Sequence, residues 1–177
     1  MSAIKHFKTI TRHRHAVIKH CFKCGIGFQG LFHDLSKYSF TEFIPGARYY
    51  QGTRSPIDKD RELHGYSLAW MHHKGRNKHH FEYWTDINPE TKQYEPVEMP
   101  FNYVVEMFCD RVAACKIYKG ADYTDADALN YFLKNKARDV MNPKTAELLE
   151  KLLRMVAEKG EEEAFRTIKE LIKEYRK

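Results

Sequence analysis

The order of apolar and polar positions reads as helix from one end of the chain to the other. No segment alternates at period two as a half-buried strand does. Residues 3–24 carry a long helical pattern that stops at Gly25 and Gly27. A second helix is expected from about Leu31 to Tyr38, after a turn through Gly30, with Ser39 or Thr41 placed to cap a further short turn containing Glu42 and Phe43. Pro45, Gly46, Gly52 and Pro56 mark 44–57 as loop. Another helix covers 58–73 and breaks at KGRN. A short helical piece then holds His79, His80 and Trp84, and Pro89, Pro96 and Pro100 make 86–100 a loop. The clearest helix is FNYVVEMFCDRVAACKIYKG, 101–120, set between Pro100 and Gly120. Two amphipathic helices close the chain, one from Asn142 and Pro143 to Gly160, the other over 161–175 with Phe165, Ile168, Leu171 and Ile172 on one face. The fold class is all-α. The expected division is a helical domain over 1–140 and a C-terminal helical pair over 141–177, packed on it or lying at an interface.

Composition bounds the rest. A chain of 177 residues, 42% apolar and 14% aromatic, can bury a core of its own, and no run approaches the ~20 apolar residues of a membrane span. The N-terminus lacks the apolar stretch and small-residue cleavage site of a signal peptide, so the expected compartment is the cytoplasm. The net charge of +6 is unevenly placed. Lys5, Lys8, Arg12, Arg14, Lys19 and Lys23 all precede Asp34, the first acid, and from residue 34 onward 24 bases balance 24 acids. Such a first helix suits an anionic partner (phosphorylated substrate, nucleic acid or membrane surface), or it pairs with the acidic C-terminal helix. Cys21 and Cys24 form a CxxC that Cys109 and Cys115 do not match in spacing, so the pair reads as small buried apolar residues rather than half a zinc site.

Histidines and a few acids carry the candidate chemistry. There are ten histidines, among them His13, His15 and His20 in the first helix and the run HHKGRNKHH at 72–80. Neutral imidazole completed by carboxylate is a ligand set for Zn, Fe, Mn or Ni. Asp110 shares its helix face with Tyr103, Met107, Ala113, Ala114 and Ile117, and the opposite face carries Val104, Val105, Phe108, Val112 and Cys115. A carboxylate buried there costs several kcal/mol unless a cation answers it, which would be Arg14, Arg111 or a metal ion. In LFHDLSKYSFTEF, 31–43, a helical reading sets His33 and Lys37 four apart on one face with Asp34 one position round. A carboxylate at Asp34 could bridge two metals while His33 binds one and Lys37 holds a phosphate at the rim.

The order His, His-Asp, His-His, Asp resembles the HD superfamily of helical metal-dependent phosphohydrolases. HDLSK is similar to the His-Asp-x-x-Lys of its HD-GYP-like branch, HHKGRN to the His-His pair of that branch, and EMFCDRVAA to the late helix that brings the final Asp. The likeness covers about residues 10–120, and the whole pattern is also similar to a group of small HD-like proteins of unassigned function. The GYP triplet is absent and the spacing short, which points away from a cyclic dinucleotide. The resemblance implies an HD-domain-like helical bundle with a C-terminal helical hairpin. It implies His33, Asp34 and Asp110 as ligands, with Asp34 the bridge, for one or two divalent ions (Zn, Mn, Fe, Ni or Mg). The first ligand is expected from the first helix at His15, whose face bears Ile18 and Phe22. His20 is second choice, and His13 and His6 fall on the solvated side. His72 and His73 are further metal candidates, with His79, His80 and Arg76 as second-metal or substrate contacts. Adjacent helical residues diverge by about 100°, so each His pair is expected to give one ligand and one outer or substrate contact. The implied activity is hydrolysis of a nucleotide or other small phosphoester by metal-activated water, with Asp34 and Lys37 catalytic. The alternatives are an HD-fold di-iron oxygenase, or a nucleic-acid- or protein-binding module around a structural metal. Trp70, Tyr83 and Trp84 either stack a base or belong to the core, and Leu148, Leu152 and Phe165 either dimerise or pack.

Overall fold

Burial of the 101–120 segment on several sides organises everything else. The computed structural model describes residues 2–176. In chain order it contains α1 (Ser2–Lys23), α2 (Gly27–Gly30), a 3-10 turn at Leu35–Tyr38, α3 (Phe40–Arg48), α4 (Pro56–His64), α5 (Leu68–Lys74) and a 3-10 turn at Phe81–Tyr83. A hairpin of β1 (Thr85–Ile87) and β2 (Tyr94–Pro96) follows, then α6 (Phe101–Lys119), α7 (Asp127–Lys134), α8 (Ala137–Val140), α9 (Pro143–Lys159) and α10 (Glu161–Tyr175). The fold is all-α. The hairpin, with Ile87 opposite Tyr94, is its one extended element among the described residues.

An apolar surface around most of a helix cannot face water on any side. Accordingly α6 buries Val104, Val105, Met107, Phe108, Cys109, Val112 and Ala113, with α1, α7, α9 and α10 packed around it. The inward row of α1 is His6, Ile10, His13, Val17, His20 and Cys21, spaced by three or four. Cys21, Cys24 and Cys109 are buried, unbonded thiols, as expected of small apolar residues. The C-terminal pair is not a separate unit, because Leu149, Leu152, Leu153, Val156, Phe165, Ile168 and Ile172 join the same cluster as Val17 and Phe108. Leu152 and Phe165 therefore pack inward, and Leu148 is partly buried against the core.

Four segments differ from the reading of the sequence. The expected helix at 31–38 is not one: α2 ends at Gly30, a turn follows, and the 3-10 turn begins at Leu35. The expected loop at 44–57 is helical as far as Arg48, because α3 runs through Pro45. The expected helix at 58–73 is two, since Gly65 takes φ 79° and the Ser67 hydroxyl then accepts a hydrogen bond from the Trp70 N–H at 3.1 Å. Part of the 86–100 loop pairs as the hairpin.

Two consequences can be measured. A β-carbon at Gly30 would lie 2.5 Å from Cys21 Cβ, so Gly30→Ala must push α2 off α1. Gly30→Ala is expected to lower the unfolding free energy by about 1–3 kcal/mol in urea titration. His20 donates to the Cys109 carbonyl at 3.3 Å, and burial, only partly opposed by that bond, lowers its pKa from 6.5 to about 4. Between those values the unfolded chain holds a proton that the folded one does not. The contribution is therefore complete above pH 6.5 and is lost as pH falls towards 4. With metal chelated, wild type should lose about 2 kcal/mol more than His20→Gln between pH 7 and pH 5.

Candidate metal centre

The centre begins with an unusual backbone. Asp34 has φ 54° and ψ 25°, in the left-handed region that Asp tolerates better than most residues. Arg14 helps hold it there, donating from Nε to the His33 carbonyl at 3.0 Å and from Nη2 to the Leu31 carbonyl. Those carbonyls are thus drawn away from a helical ladder. The turn sends His33 and Asp34 into the interior, 1% and 2% exposed, while Leu31, Phe32 and Leu35 stay outside.

Two groups of donors converge on Asp34. His13, His33, Asp34 and Asp110 form one, and Asp34, His73, His79 and His80 the other; within each, one donor atom per residue lies within 4.8 Å of the rest. In the first group His13 Nε2 is 2.8 Å from Asp110 Oδ1, and His33 Nε2 is 3.6 Å from the same oxygen and 3.3 Å from Asp34 Oδ2. In the second, His73 Nε2 and His79 Nε2 lie 3.3 and 3.5 Å from Asp34 Oδ1, and His80 Nε2 lies 2.9 Å from His73 Nε2. Lys37 Nζ sits 2.6 Å from Asp34 Oδ2, its side chain about a third exposed.

Two glutamates orient the rings. Glu106 Oε1 accepts from His33 Nδ1 at 2.9 Å and has His79 Nδ1 at 3.2 Å. Glu42 accepts from His72 Nδ1 at 2.6 Å and His73 Nδ1 at 2.7 Å. A carboxylate on Nδ1–H leaves the Nε2 lone pair free, the arrangement that metal-binding histidines use. Among the described residues, the Nε2 atoms of His33 and His79 and both oxygens of Asp34 are buried with no hydrogen-bond partner, beyond the ion-pair contacts of Asp34 with Lys37, His33, His73 and His79 and of His33 with Asp110. Buried polar atoms are rarely left so, and mixed nitrogen and carboxylate donors fit Zn, Fe, Mn or Ni.

The electrostatics agree. Burial by itself would raise the Asp34 pKa, but His33, Lys37 and His73 hold it well below the usual carboxylate range. Burial would lower His33, yet Asp34, Asp110 and Glu106 raise it well above its ordinary value. For Glu106, hydrogen bonds from His33 and His79 overcome burial and bring the pKa to about 2. His80 is lowered, first by burial and then by His79 and His73. The cluster is a negative field that draws protons onto His33 and His73.

Of the residues picked from sequence, His33, Asp34, Lys37, His73, His79, His80 and Asp110 come together. His15 does not: it is exposed, and His13, expected on the solvated side, reaches Asp110 instead. The cause is helical phase, because Phe22, taken as inward, is 55% exposed and covers Gly27. His20 is buried but engaged with Cys109. His72, also a metal candidate, lies outside both groups of donors and pairs with Glu42 instead. His79 and His80 both reach the cluster because they sit in a turn rather than a helix. Arg76 is exposed and returns to the His72 carbonyl at 3.4 Å. Neither Arg14 nor Arg111 pairs with Asp110; Arg14 binds backbone and Arg111 lies over the Phe132 ring at 5.5 Å. Trp70 packs on His80, ring centroids 4.8 Å apart, and Trp84 packs against the core. Sequence reading missed Glu42 and Glu106. Glu106 had a signal, one turn before Asp110 in an otherwise apolar stretch.

Metal uptake tests this assignment. Titration with Mn²⁺ or Zn²⁺, read as metal per chain, should show His13→Ala and His80→Ala each losing part of the uptake. Asp34→Asn should lose most of it and His15→Ala none. Glu106→Gln should weaken affinity about 10–100-fold with the helical circular dichroism retained. Uptake unchanged in Asp34→Asn would remove the shared carboxylate from the centre.

No curated protein and no solved structure matches the chain. A family model described as a family of unknown function, DUF5662, matches residues 2–155, a span that includes every residue of the cluster and both glutamates. The chain belongs to that family.

Proposed function

We propose that the protein is a metal-dependent phosphohydrolase acting on a nucleotide or another small phosphoester. The observation that carries this reading is the set of unpartnered, buried donor atoms around Asp34 beside a part-exposed lysine ammonium. His13, His33, Asp34 and Asp110 would hold one divalent ion and His73, His79, His80 and Asp34 a second. A metal so bound lowers the pKa of water and polarises a phosphoryl oxygen.

The chain's own residues supply the rest. Glu106 and Glu42 fix ring orientation and tautomer before substrate arrives, so little reorganisation remains for the reaction step. Asp34 shares its negative charge between the two groups of donors. Lys37 has one of its three N–H donors committed to Asp34, and burial, which would lower its pKa, is outweighed by Asp34 and Asp110. It therefore stays cationic at neutral pH and can meet phosphate oxygens with the remaining donors. Arg76, folded back on the His72 carbonyl, has no part in this reading.

Metal-loaded protein screened over nucleotides and phosphomonoesters should hydrolyse at least one, and chelation should abolish turnover. Lys37→Ala should keep its metal and lose about 10–100-fold in kcat/KM, the worth of one charge-assisted contact. Turnover that needs bound iron and oxygen would favour the oxygenase reading. Hydrolysis that survives full chelation would exclude the mechanism.

A further inference from the structure

Apart from Arg14, which holds the turn before Asp34, the lysines and arginines of α1 have no role in the metal centre, and among the described residues none has an acidic partner. Ile4, Lys8, Arg12, His15, Lys19 and Phe22 follow one another at steps of three or four and form one exposed row. Lys5 and Lys23 flank it. Among the described residues no ion pair joins α1 to the C-terminal helix, where Glu161 is held by Lys116, Glu163 by Lys159 and Glu170 by Lys173. The one ion pair from α1 among the described residues is that of His13 with Asp110, and no lysine or arginine of the helix is in one.

Beside this row lies exposed apolar surface. Residues 27–38 run back along α1: Gly27 sits on the Phe22 ring, Gly30 on Cys21, and the Tyr38 hydroxyl is 3.0 Å from that of Thr11. Their outward side presents Phe28, Leu31, Phe32 and Leu35, with Phe28 78% exposed. The rings of Phe28 and Phe32 rest on each other at 5.4 Å rather than in the core. Phe40, 84% exposed, stands just beyond. Clustered exposed apolar side chains of this kind mark an interaction surface.

We propose that this face docks the protein on an anionic phospholipid bilayer, with the lysines over the headgroups and Phe22, Phe28, Leu31 and Phe32 in the interfacial layer. Charge complementarity selects an anionic partner, since the first 33 residues carry no acid. The apolar side chains select lipid over nucleic acid. Phe and Leu have no polar tip for phosphate or base edges, and the exposed bases are four lysines to one arginine, point charges rather than the planar forks that read nucleic acid. A two-fold pairing with a second copy would press like charges together. No described helix is long and apolar enough to cross a membrane, and docking from one face requires none. The proposal is independent of what the metal centre does.

The test is co-sedimentation of the full chain with vesicles of phosphatidylcholine, with and without phosphatidylserine. Binding should need phosphatidylserine, weaken with salt and be indifferent to chelation. Lys8→Glu with Lys19→Glu should weaken it at least about tenfold. Phe28→Ser with Phe32→Ser should also weaken it, at unchanged helicity. Both lysines are fully outside the core, so the first pair reports on docking even if the second perturbs folding. The proposal is overturned by equal binding to both vesicle types, by both paired variants binding like wild type, or by oligonucleotide binding without vesicle binding. A concentration-dependent dimer that the phenylalanine variant abolishes also overturns it.

Discussion

An excess of buried negative charge is the constraint on which the rest depends. Asp34, Glu42, Glu106 and Asp110 gather four carboxylates in the interior around one ammonium, Lys37. Burying carboxylates is costly, and each here is held in the charged form by imidazoles, Asp34 by Lys37 as well. Protons drawn onto His33 and His73 balance part of the field. Divalent cations could answer the same deficit through the donor atoms that are otherwise left unpartnered.

The donors come from distant parts of the chain, which ties the centre to the core. α1 gives His13, the turn after α2 gives His33 and Asp34, α5 and the turn beyond it give His73, His79 and His80, and α6 gives Asp110. Four residues apart on α6, Glu106 and Asp110 meet opposite nitrogens of His33, and each meets one further histidine, His79 and His13. The packing of α1 on α6 that buries Val17 and Phe108 also sets the reach from His13 to Asp110. A metal bound to the folded state alone would add to its stability by mass action.

One short segment divides its residues between two environments. In the turn that carries the centre, His33 and Asp34 face inward while Leu31, Phe32 and Leu35 face solvent. The left-handed backbone at Asp34 makes this possible, because a helix through 31–38 would have distributed those side chains round a single axis. Gly30, seated on Cys21 too closely for a β-carbon, fixes where the turn begins.

Much of this was legible in the sequence. Apolar periodicity and Pro and Gly punctuation determine α1, α6, α9 and α10, and the apolar surroundings of Asp110 determine that its carboxylate needs a cation. His33, Asp34, His73, His79 and His80 stand out by residue type. The tertiary structure alone decided which α1 histidine reaches the cluster. Phe22 suggested the phase of His15, whereas the row through Ile10, Val17 and Cys21 is the one that meets α6 and brings His13 with it. It also decided that 31–38 is a turn, because the side chain of Arg14 captures two carbonyls seventeen or more residues away. Glu42 acquired its part in the same way, from α3 packing on α5. Local pattern records which residues prefer burial or helix. Which buried groups meet is set by the packing of helices distant in sequence, where a polar group must find its partner across space rather than along the chain.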